Sequence, residues 1–135
     1  MVDIEDPTQP VRLLTPEGEL VEDPRFRWRG GDESLVEMLR GMRRGRRLDV
    51  EGVALQRHGE LGLWPPLVGQ EGYQAGIAAA LDPADMVFAT YREQSLALAM
   101  GVSPADMLAL WRGAGLSRWD SATTRMAPYS LIIGS

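Results

Sequence analysis

The stretch "VFATYREQSLALAMG", residues 87–101, passes from a strand-like run into a helix-like run. The segment "MVFAT" (86–90) predicts a short strand, and Gln94 to Met100 predicts a helix. Tyr91 and Arg92 lie at the junction, where a phenol, a guanidinium and a helix N-terminus are suited to binding an anion. The alternative is a solvent-exposed turn with an ordinary surface Arg-Glu pair, and the local pattern leaves both interpretations open.

Composition limits the class of protein. The 135 residues are 44% hydrophobic and 24% charged, as in a soluble globular domain. The absence of cysteine excludes disulfides, zinc thiolates and thiol catalysis. The acidic N-terminal segment "MVDIEDPTQP" (1–10) does not resemble a targeting peptide, and no segment has membrane-spanning length. We therefore expect a cytoplasmic protein that does not associate with membranes.

The first 30 residues differ in pattern from the rest. They contain four of the nine prolines and no sustained periodicity, which predicts an extended N-terminal arm over residues 1–30. Within the arm, "VRLLTPEGELV" (11–21) predicts a small hairpin whose turn is "TPEG" (15–18). Residues 31–135 then form the second region.

The first helix is predicted to begin after "GGD" (30–32), with Ser34 and Glu37 as a capping box. It is expected to end at "RHGELG" (57–62), although "RRGRRLD" (43–49) interrupts its apolar stripe. The residues predicted to face inward on this helix are Leu35, Met38, Leu39 and Met42, and then Val50, Val53 and Ala54.

The segment "LWPPLVGQEG" (63–72) predicts a rigid connector, because two prolines forbid helix until after Pro66. A second helix is predicted over residues 70–81. One face of it carries only small side chains, a pattern typical of tight helix packing and less often of a nearby ligand. These small residues are Gly72, Gly76 and Ala79 or Ala80.

The remaining sequence predicts one more helix and a final apolar run. "DPAD" (82–85) predicts a turn, and Ser103, Pro104 and Asp106 form an N-cap pattern for a helix reaching about Arg112. "GAGLSRWDSATTRMAPYS" (113–130) predicts a loop that leads into the strand-like "LIIGS" (131–135). Because a buried strand seldom ends a domain, we expect the chain to be truncated at a core strand.

Few other residues suggest chemistry. The five clustered arginines from Arg40 to Arg47 are interpreted as a solvated helix face that pairs with acids, because the net charge of −5 and the lack of interleaved aromatics disfavour nucleic-acid binding. The single histidine, His58, is expected to be a helix-end residue. The scattered acids have no spacing typical of a metal loop, so no metal ligands and no catalytic residues are predicted within this chain.

Four motifs occur in an order that resembles a known family. They are "LLTPEGE" (13–19), "RRLDVEGVALQRHGELGLWPPLVGQEGYQAG" (46–76), "DPADMVFATYREQSLALAMGV" (82–102) and "WDSATTRMAPYSLIIGS" (119–135). From about Leu13 to Ser135 the chain resembles the α subunit of heterotetrameric thiamine-diphosphate-dependent 2-oxo acid dehydrogenases. This subunit belongs to the E1 component of pyruvate or branched-chain dehydrogenase complexes.

The resemblance implies an α/β fold, namely the mostly helical N-terminal part of a thiamine-diphosphate-binding fold, with residues 31–135 as a partial domain. It also implies that Thr90, Tyr91 and Arg92 bind thiamine diphosphate, Tyr91 and Arg92 by holding its diphosphate. By the same resemblance, the cofactor's aminopyrimidine would meet the backbone of Leu131 and Ile133. The residues implied to face the substrate are Leu63 and Trp64.

The family chemistry that the resemblance implies is oxidative decarboxylation of a 2-oxo acid with acyl transfer to a lipoyl group, the cofactor ring being the electron sink. The implied partners are an E1 β subunit, which supplies the glutamate that activates the cofactor, and a lipoyl-bearing E2 acyltransferase. The implied Mg²⁺ ion would be held by a Gly-Asp-Gly motif and a later Asn that lie outside this chain.

Three departures from the family pattern affect these expectations. Gln94 replaces a histidine common in the family, and Arg43, Arg44 and Gly45 replace a usually aliphatic stretch. The metal motif has no counterpart in this chain. We therefore expect the chain alone to be inactive, and three alternatives remain open: part of an E1 α subunit, a truncated non-catalytic interaction module, or an arginine-based nucleic-acid binder.

Overall fold

The computed structural model describes residues 10–26, 28–113 and 117–128. The chain divides into two compact units, Met1–Gly31 and Asp32–Ser135, which are described separately. The helices of the second unit are α1 (Asp32–Arg57), α2 (Glu71–Ala80), α3 (Gln94–Ala99), α4 (Pro104–Arg112) and α5 (Ser121–Thr124). None of the helices in the described ranges is long and apolar enough to cross a bilayer.

In the first unit the predicted hairpin is confirmed. Leu14 and Leu20 form an antiparallel bridge, and the Gly18 N–H donates to the Thr15 carbonyl at 3.0 Å across the turn. Gly18 has φ +90°, a conformation that glycine adopts without strain. The turn chemistry read from "TPEG" therefore forms as predicted.

A second turn in this unit joins Asp23 to Phe26 through another antiparallel bridge. The Arg25 side chain donates to both carboxylate oxygens of Asp23, from Nε at 3.0 Å and from Nη2 at 2.7 Å. These hydrogen bonds lower the pKa of Asp23 to about 2. The turn is thus fastened by a two-pronged ion pair between near neighbours.

The long helix α1 differs from the prediction at its start and in its buried face. It begins at Asp32, so Ser34 lies inside the helix and the predicted capping box is wrong. Leu35 and Leu39 are 46% and 51% exposed, which contradicts their predicted inward positions. The residues of α1 that are buried are Gly45, Leu48, Asp49 and Gly52, which follow one another at helical spacing.

Two glycines of α1 let other side chains approach its backbone. A Cβ atom on Gly52 would lie 2.1 Å from the Trp64 ring, and one on Gly45 would lie 1.8 Å from the Ser95 hydroxyl. Both distances are far below van der Waals contact. The backbone of α1 therefore packs directly against Trp64 and Ser95 at these two glycines. The hydrophobic pattern of the sequence does not predict either contact.

The connector between α1 and α2 contains no helix, as predicted. The small-residue face of α2 is exposed, and a Cβ on Gly76 would meet nothing within 4 Å. The described residues therefore do not form the tight packing expected for this face. The buried residues of α2 are instead polar, Glu71 and Gln74.

The N-cap of α4 is confirmed, because the Ser103 hydroxyl accepts from the Asp106 N–H at 3.1 Å. The predicted loop after α4 is wrong over Ser121–Thr124, where α5 forms with Asp120 as its N-cap. Asp120 favours this turn because its carboxylate accepts the Ala122 N–H at 3.0 Å.

The predicted strand "MVFAT" is present only as one parallel bridge, between Val87 and Met126. The predicted strand "LIIGS" lies outside the described residues. The described part is thus mostly helical, and its isolated bridges do not by themselves make the sheet of an α/β fold.

The core of the second unit is built around tryptophans. Trp64 and Trp111 pack edge to face with ring centroids 6.4 Å apart, and the Trp119 indole N–H donates to the Met126 carbonyl at 2.9 Å. The other buried hydrophobic residues of this cluster are Leu48, Leu61, Leu96, Ala97, Val102 and Met107. Leu96 and Ala97 of α3 therefore belong to this buried cluster.

Candidate anion-binding site

The Tyr-Arg turn lies between the bridge at Val87 and the start of α3. The side chain of Tyr91 is exposed, whereas Arg92 and Glu93 are half-buried. Of the predicted pair, Tyr91 is therefore open to solvent and Arg92 only partly so.

Glu93 organises this turn. Its carboxylate accepts the Thr90 hydroxyl at 2.8 Å and 3.1 Å, the Tyr73 hydroxyl at 3.2 Å and the Arg92 backbone N–H at 3.2 Å. The hydroxyl proton of Thr90 is therefore committed to Glu93. In this arrangement Thr90 can accept a hydrogen bond from a ligand but cannot donate one.

Arg92 has an unused hydrogen-bond donor. Its guanidinium carbon lies 5.2 Å from the centroid of the Tyr91 ring, which is a cation–π distance. Its Nε atom is buried and has no partner among the described residues. Because an unpaired buried N–H of a charged group is costly, this donor calls for an acceptor that the described residues do not supply.

Tyr73 adds a neutral donor beside the turn. Burial raises its pKa, the Glu93 charge raises it further, and Gln74 and the Arg92 charge partly oppose the rise. Tyr73 therefore keeps its proton at neutral pH. The local charge is then one cation, Arg92, next to one carboxylate, Glu93.

Gln74 of α2 is completely buried and hydrogen-bonds to the Tyr-Arg turn. Its amide donates to the Arg92 carbonyl at 2.8 Å and to the Tyr73 hydroxyl at 3.3 Å. Its side-chain carbonyl accepts the Leu96 N–H at 3.1 Å. The Gln74 side chain thus bonds to the backbone before α3, at Arg92, and within its first turn, at Leu96.

Gln94, also completely buried, ties the turn to the connector. Its amide donates to the Pro65 carbonyl at 2.8 Å, while its Oε1 has no partner among the described residues. The substrate-side segment expected at 63–64 is therefore fastened next to the residues expected to hold the cofactor. Gln94, which replaces a histidine common in the family that the sequence resembles, therefore makes the hydrogen bond to Pro65.

The two expected substrate residues have different environments. Leu63 is 51% exposed, whereas Trp64 is 2% exposed. The Trp64 indole donates to the Asp49 carboxylate at 2.9 Å, and the same oxygen accepts the Leu67 N–H at 2.8 Å. Trp64 therefore anchors the connector, and Leu63 is the side chain of the two that solvent reaches.

The helix contribution expected at this site is small. The helix α3 has six residues, and Gln74 already occupies the N–H of Leu96. The N-cap residue Glu93 makes no side-chain cap bond to α3. The donors that this turn offers to an anion are therefore the side chains of Arg92 and Tyr91, with little contribution from a helix dipole.

Within the described ranges, three of the five clustered arginines pair with acids, as predicted for the cluster. Arg40 pairs with Glu37, and Arg47 pairs with Glu51 at 2.6 Å. A further pair joins α1 to α2 through Arg46 and the buried Glu71, whose pKa is lowered by this hydrogen bond. His58 directly follows the last residue of α1 and is exposed, as expected of a helix-end residue.

Other expected site residues are not described. Leu131 and Ile133 lie outside the described ranges, so their predicted roles remain predictions. Across those ranges, His, Asp and Glu side chains form no group that could hold a metal ion.

Sequence comparison decides the family. The profile of the family described as "Dehydrogenase E1 component" matches residues 40–129, which include α1 from Arg40 onward, all of α2 and the Tyr-Arg turn. The chain belongs to this E1 family. The alternative of a non-catalytic interaction module is not favoured.

Relatives within the E1 family are α subunits. The chain is 37% identical over 127 residues to the 3-methyl-2-oxobutanoate dehydrogenase subunit alpha of Mycobacterium tuberculosis, covering 94% of the chain and 35% of the relative. It is 31% identical over 103 residues to the pyruvate dehydrogenase E1 component subunit alpha of Acholeplasma laidlawii, covering 76% and 30%. It is 30% identical over 129 residues to that of Mycoplasma genitalium, covering 96% and 36%. The chain thus spans about a third of the length of these relatives.

Sequence reasoning missed the polar residues that support the Tyr-Arg turn. Gln74 and Glu93 carry most of its hydrogen bonds, and Asp49 anchors the connector. One signal was available, because Glu71 and Gln74 are polar residues three apart on an otherwise small and apolar helix. Such a pair indicates a buried polar face.

Proposed function

We propose that this chain is the N-terminal part of an E1 α subunit and that Tyr91 and Arg92 bind the diphosphate of thiamine diphosphate. The observation that carries the proposal is the buried Nε of Arg92, which has no hydrogen-bond partner among the described residues and lies next to the exposed Tyr91. A guanidinium presents parallel N–H groups that match phosphate oxygens, and a phenol donates one further bond. Residues 31–135 would then be a partial thiamine-diphosphate-binding domain.

The residues present fit the cofactor in part. Arg92 and Tyr91 supply donors for an anion, and Thr90 supplies a hydroxyl that can accept. When bound, thiamine diphosphate supplies an electron sink for decarboxylation of a 2-oxo acid. In the proposed subunit, Mg²⁺ would be held by residues outside this chain, and the backbone of Leu131 and Ile133 would contact the cofactor ring.

The proposed reaction of the whole enzyme is decarboxylation of pyruvate or a branched-chain 2-oxo acid, followed by acyl transfer to lipoyl. The exposed Leu63 would contact the substrate side chain, and the buried Trp64 would hold Leu63 in place through Asp49. The proposed partners are an E1 β subunit and a lipoyl-bearing E2 acyltransferase, in a cytoplasmic complex. The isolated chain would not decarboxylate.

A direct test uses the 135-residue chain labelled with ¹⁵N. Inorganic pyrophosphate is titrated while the arginine Nε–H resonances are followed by NMR, with Arg92→Lys identifying the Arg92 signal. We expect a saturable shift of that signal, and no such shift with chloride at matched ionic strength. A pyrophosphate titration that leaves the Arg92 Nε–H unmoved would contradict the proposed site.

A further inference from the structure

We propose that Gln74 is a positioning residue that keeps Glu93, the residue after Arg92, out of α3 and so fixes the backbone of Arg92, a role that rests on the proposed function of the Tyr-Arg turn. In a regular helix the N–H of Leu96 would donate to the carbonyl of Arg92, four residues earlier. Here the Gln74 side chain lies between these two groups. It donates to the Arg92 carbonyl at 2.8 Å and accepts the Leu96 N–H at 3.1 Å.

The Gln74 carboxamide therefore replaces one helical hydrogen bond. Like a peptide group, it has a donor and an acceptor, and it uses both ends on a single backbone pair. The first backbone bond of the helix then runs from Ala97 N–H to the Glu93 carbonyl at 2.9 Å. The helix begins at Gln94, and Glu93 has φ −92° and ψ 45°, outside the helical region.

Complete burial makes this arrangement rigid. Gln74 is 0% exposed, so its amide must find partners within the protein. No side chain of the turn caps α3, because Glu93 makes no cap bond. Gln74 is thus the group that satisfies the Leu96 N–H, from a different helix.

The consequence for the site is geometric. If Leu96 bonded to Arg92, Arg92 would become the N-cap of α3 and Glu93 its first helical residue. The peptide group that follows Arg92 would then turn, and the direction of the Arg92 side chain would change with it. The second tie, from Gln94 to Pro65, fixes only the residue that follows. Gln74 therefore sets the direction in which Arg92 presents its guanidinium.

The experiment compares Gln74→Met, which keeps the length but removes donor and acceptor, with Gln74→Glu, which keeps the acceptor only. The control is Thr124→Val, because Thr124 is also buried and donates to the Asp120 carbonyl at 2.8 Å, away from the turn. All three are made in the 135-residue chain. Cα chemical shifts of residues 91–96, pyrophosphate affinity and melting temperature are measured for each.

We expect Gln74→Met to give a helical Cα shift at Glu93 and to weaken pyrophosphate binding about tenfold or more, as for loss of a charge-assisted contact. Thr124→Val should lower the melting temperature while leaving both readouts within about twofold of wild type. Gln74→Glu should lose affinity as well, because a carboxylate repels the Arg92 carbonyl.

The outcomes separate the two proposals. An unchanged Cα shift at Glu93 in folded Gln74→Met would overturn the role of Gln74, even if that variant bound pyrophosphate more weakly. Equal loss of affinity in Thr124→Val would also overturn it, since general destabilisation would then suffice. If wild type fails to bind pyrophosphate, the proposed function fails, and the Cα shifts still decide whether Gln74 ends the helix.

Discussion

Gly52→Ala tests whether α1 packs through its backbone. The added Cβ would lie 2.1, 2.4 and 2.6 Å from three atoms of the Trp64 ring, so the indole must move. Overpacking of this kind costs about 1–3 kcal/mol, and breaking the indole bond to the Asp49 carboxylate costs about 1.5–3 kcal/mol. Alanine returns about 1 kcal/mol of helix propensity. We therefore expect a net loss of about 1.5–5 kcal/mol in the free energy of unfolding.

The assay is urea unfolding followed by tryptophan fluorescence. Gly41→Ala is the matched control, because Gly41 lies in the same helix and a Cβ there meets nothing within 4 Å. That variant should gain about 0.5–1 kcal/mol from reduced backbone entropy. Equal stabilisation by both alanines would refute the close packing of Trp64 on the helix backbone.

Three further predictions concern charged side chains. In the complete cofactor-bound enzyme, Arg92→Ala should weaken thiamine diphosphate binding about ten- to a hundredfold by calorimetry, with Lys restoring only part, whereas Arg44→Ala should not change it. The pKa of Asp23, about 2, lies below its ordinary value of 3.8, so its stabilisation of the turn is present above about pH 4 and is lost as the pH falls toward 2. Arg25→Gln should raise that pKa in a carboxyl NMR titration, and an unchanged value would contradict the assignment. Glu71→Gln should reduce the free energy of unfolding by about 1–3 kcal/mol in urea, because it removes the buried carboxylate from its ion pair with α1.

Local signals predicted the features that depend on neighbouring residues. Ser103, Pro104 and Asp106 form the cap that their order indicates, and "TPEG" forms its turn, because each uses hydrogen bonds within four residues. The Tyr-Arg turn also falls where the pattern changes from apolar strand to helix. These features need no knowledge of the rest of the fold.

Tertiary features were not readable from the hydrophobic pattern. Periodicity placed Leu35 and Leu39 inward, yet the buried face of α1 consists of one leucine, Leu48, with two glycines and Asp49, and hydropathy does not mark the last three as buried. The support of the Tyr-Arg turn was missed because the partners of Gln74 and Glu93 lie about twenty positions away. The polar pair Glu71 and Gln74 indicates a buried polar face, but α2 alone does not indicate which groups that face contacts.

The parallel bridge between Val87 and Met126 bears on the order of folding. The Val87 N–H donates to the Arg125 carbonyl at 2.8 Å, and the Ala127 N–H donates to the Val87 carbonyl at 2.9 Å. These two bonds close a loop that contains α3, α4 and α5. Closing this loop costs conformational entropy, whereas the helices form through local hydrogen bonds and do not carry that cost. The helices should therefore form before the loop closes, and in the native protein the amides of Val87 and Ala127 should open before those of α4.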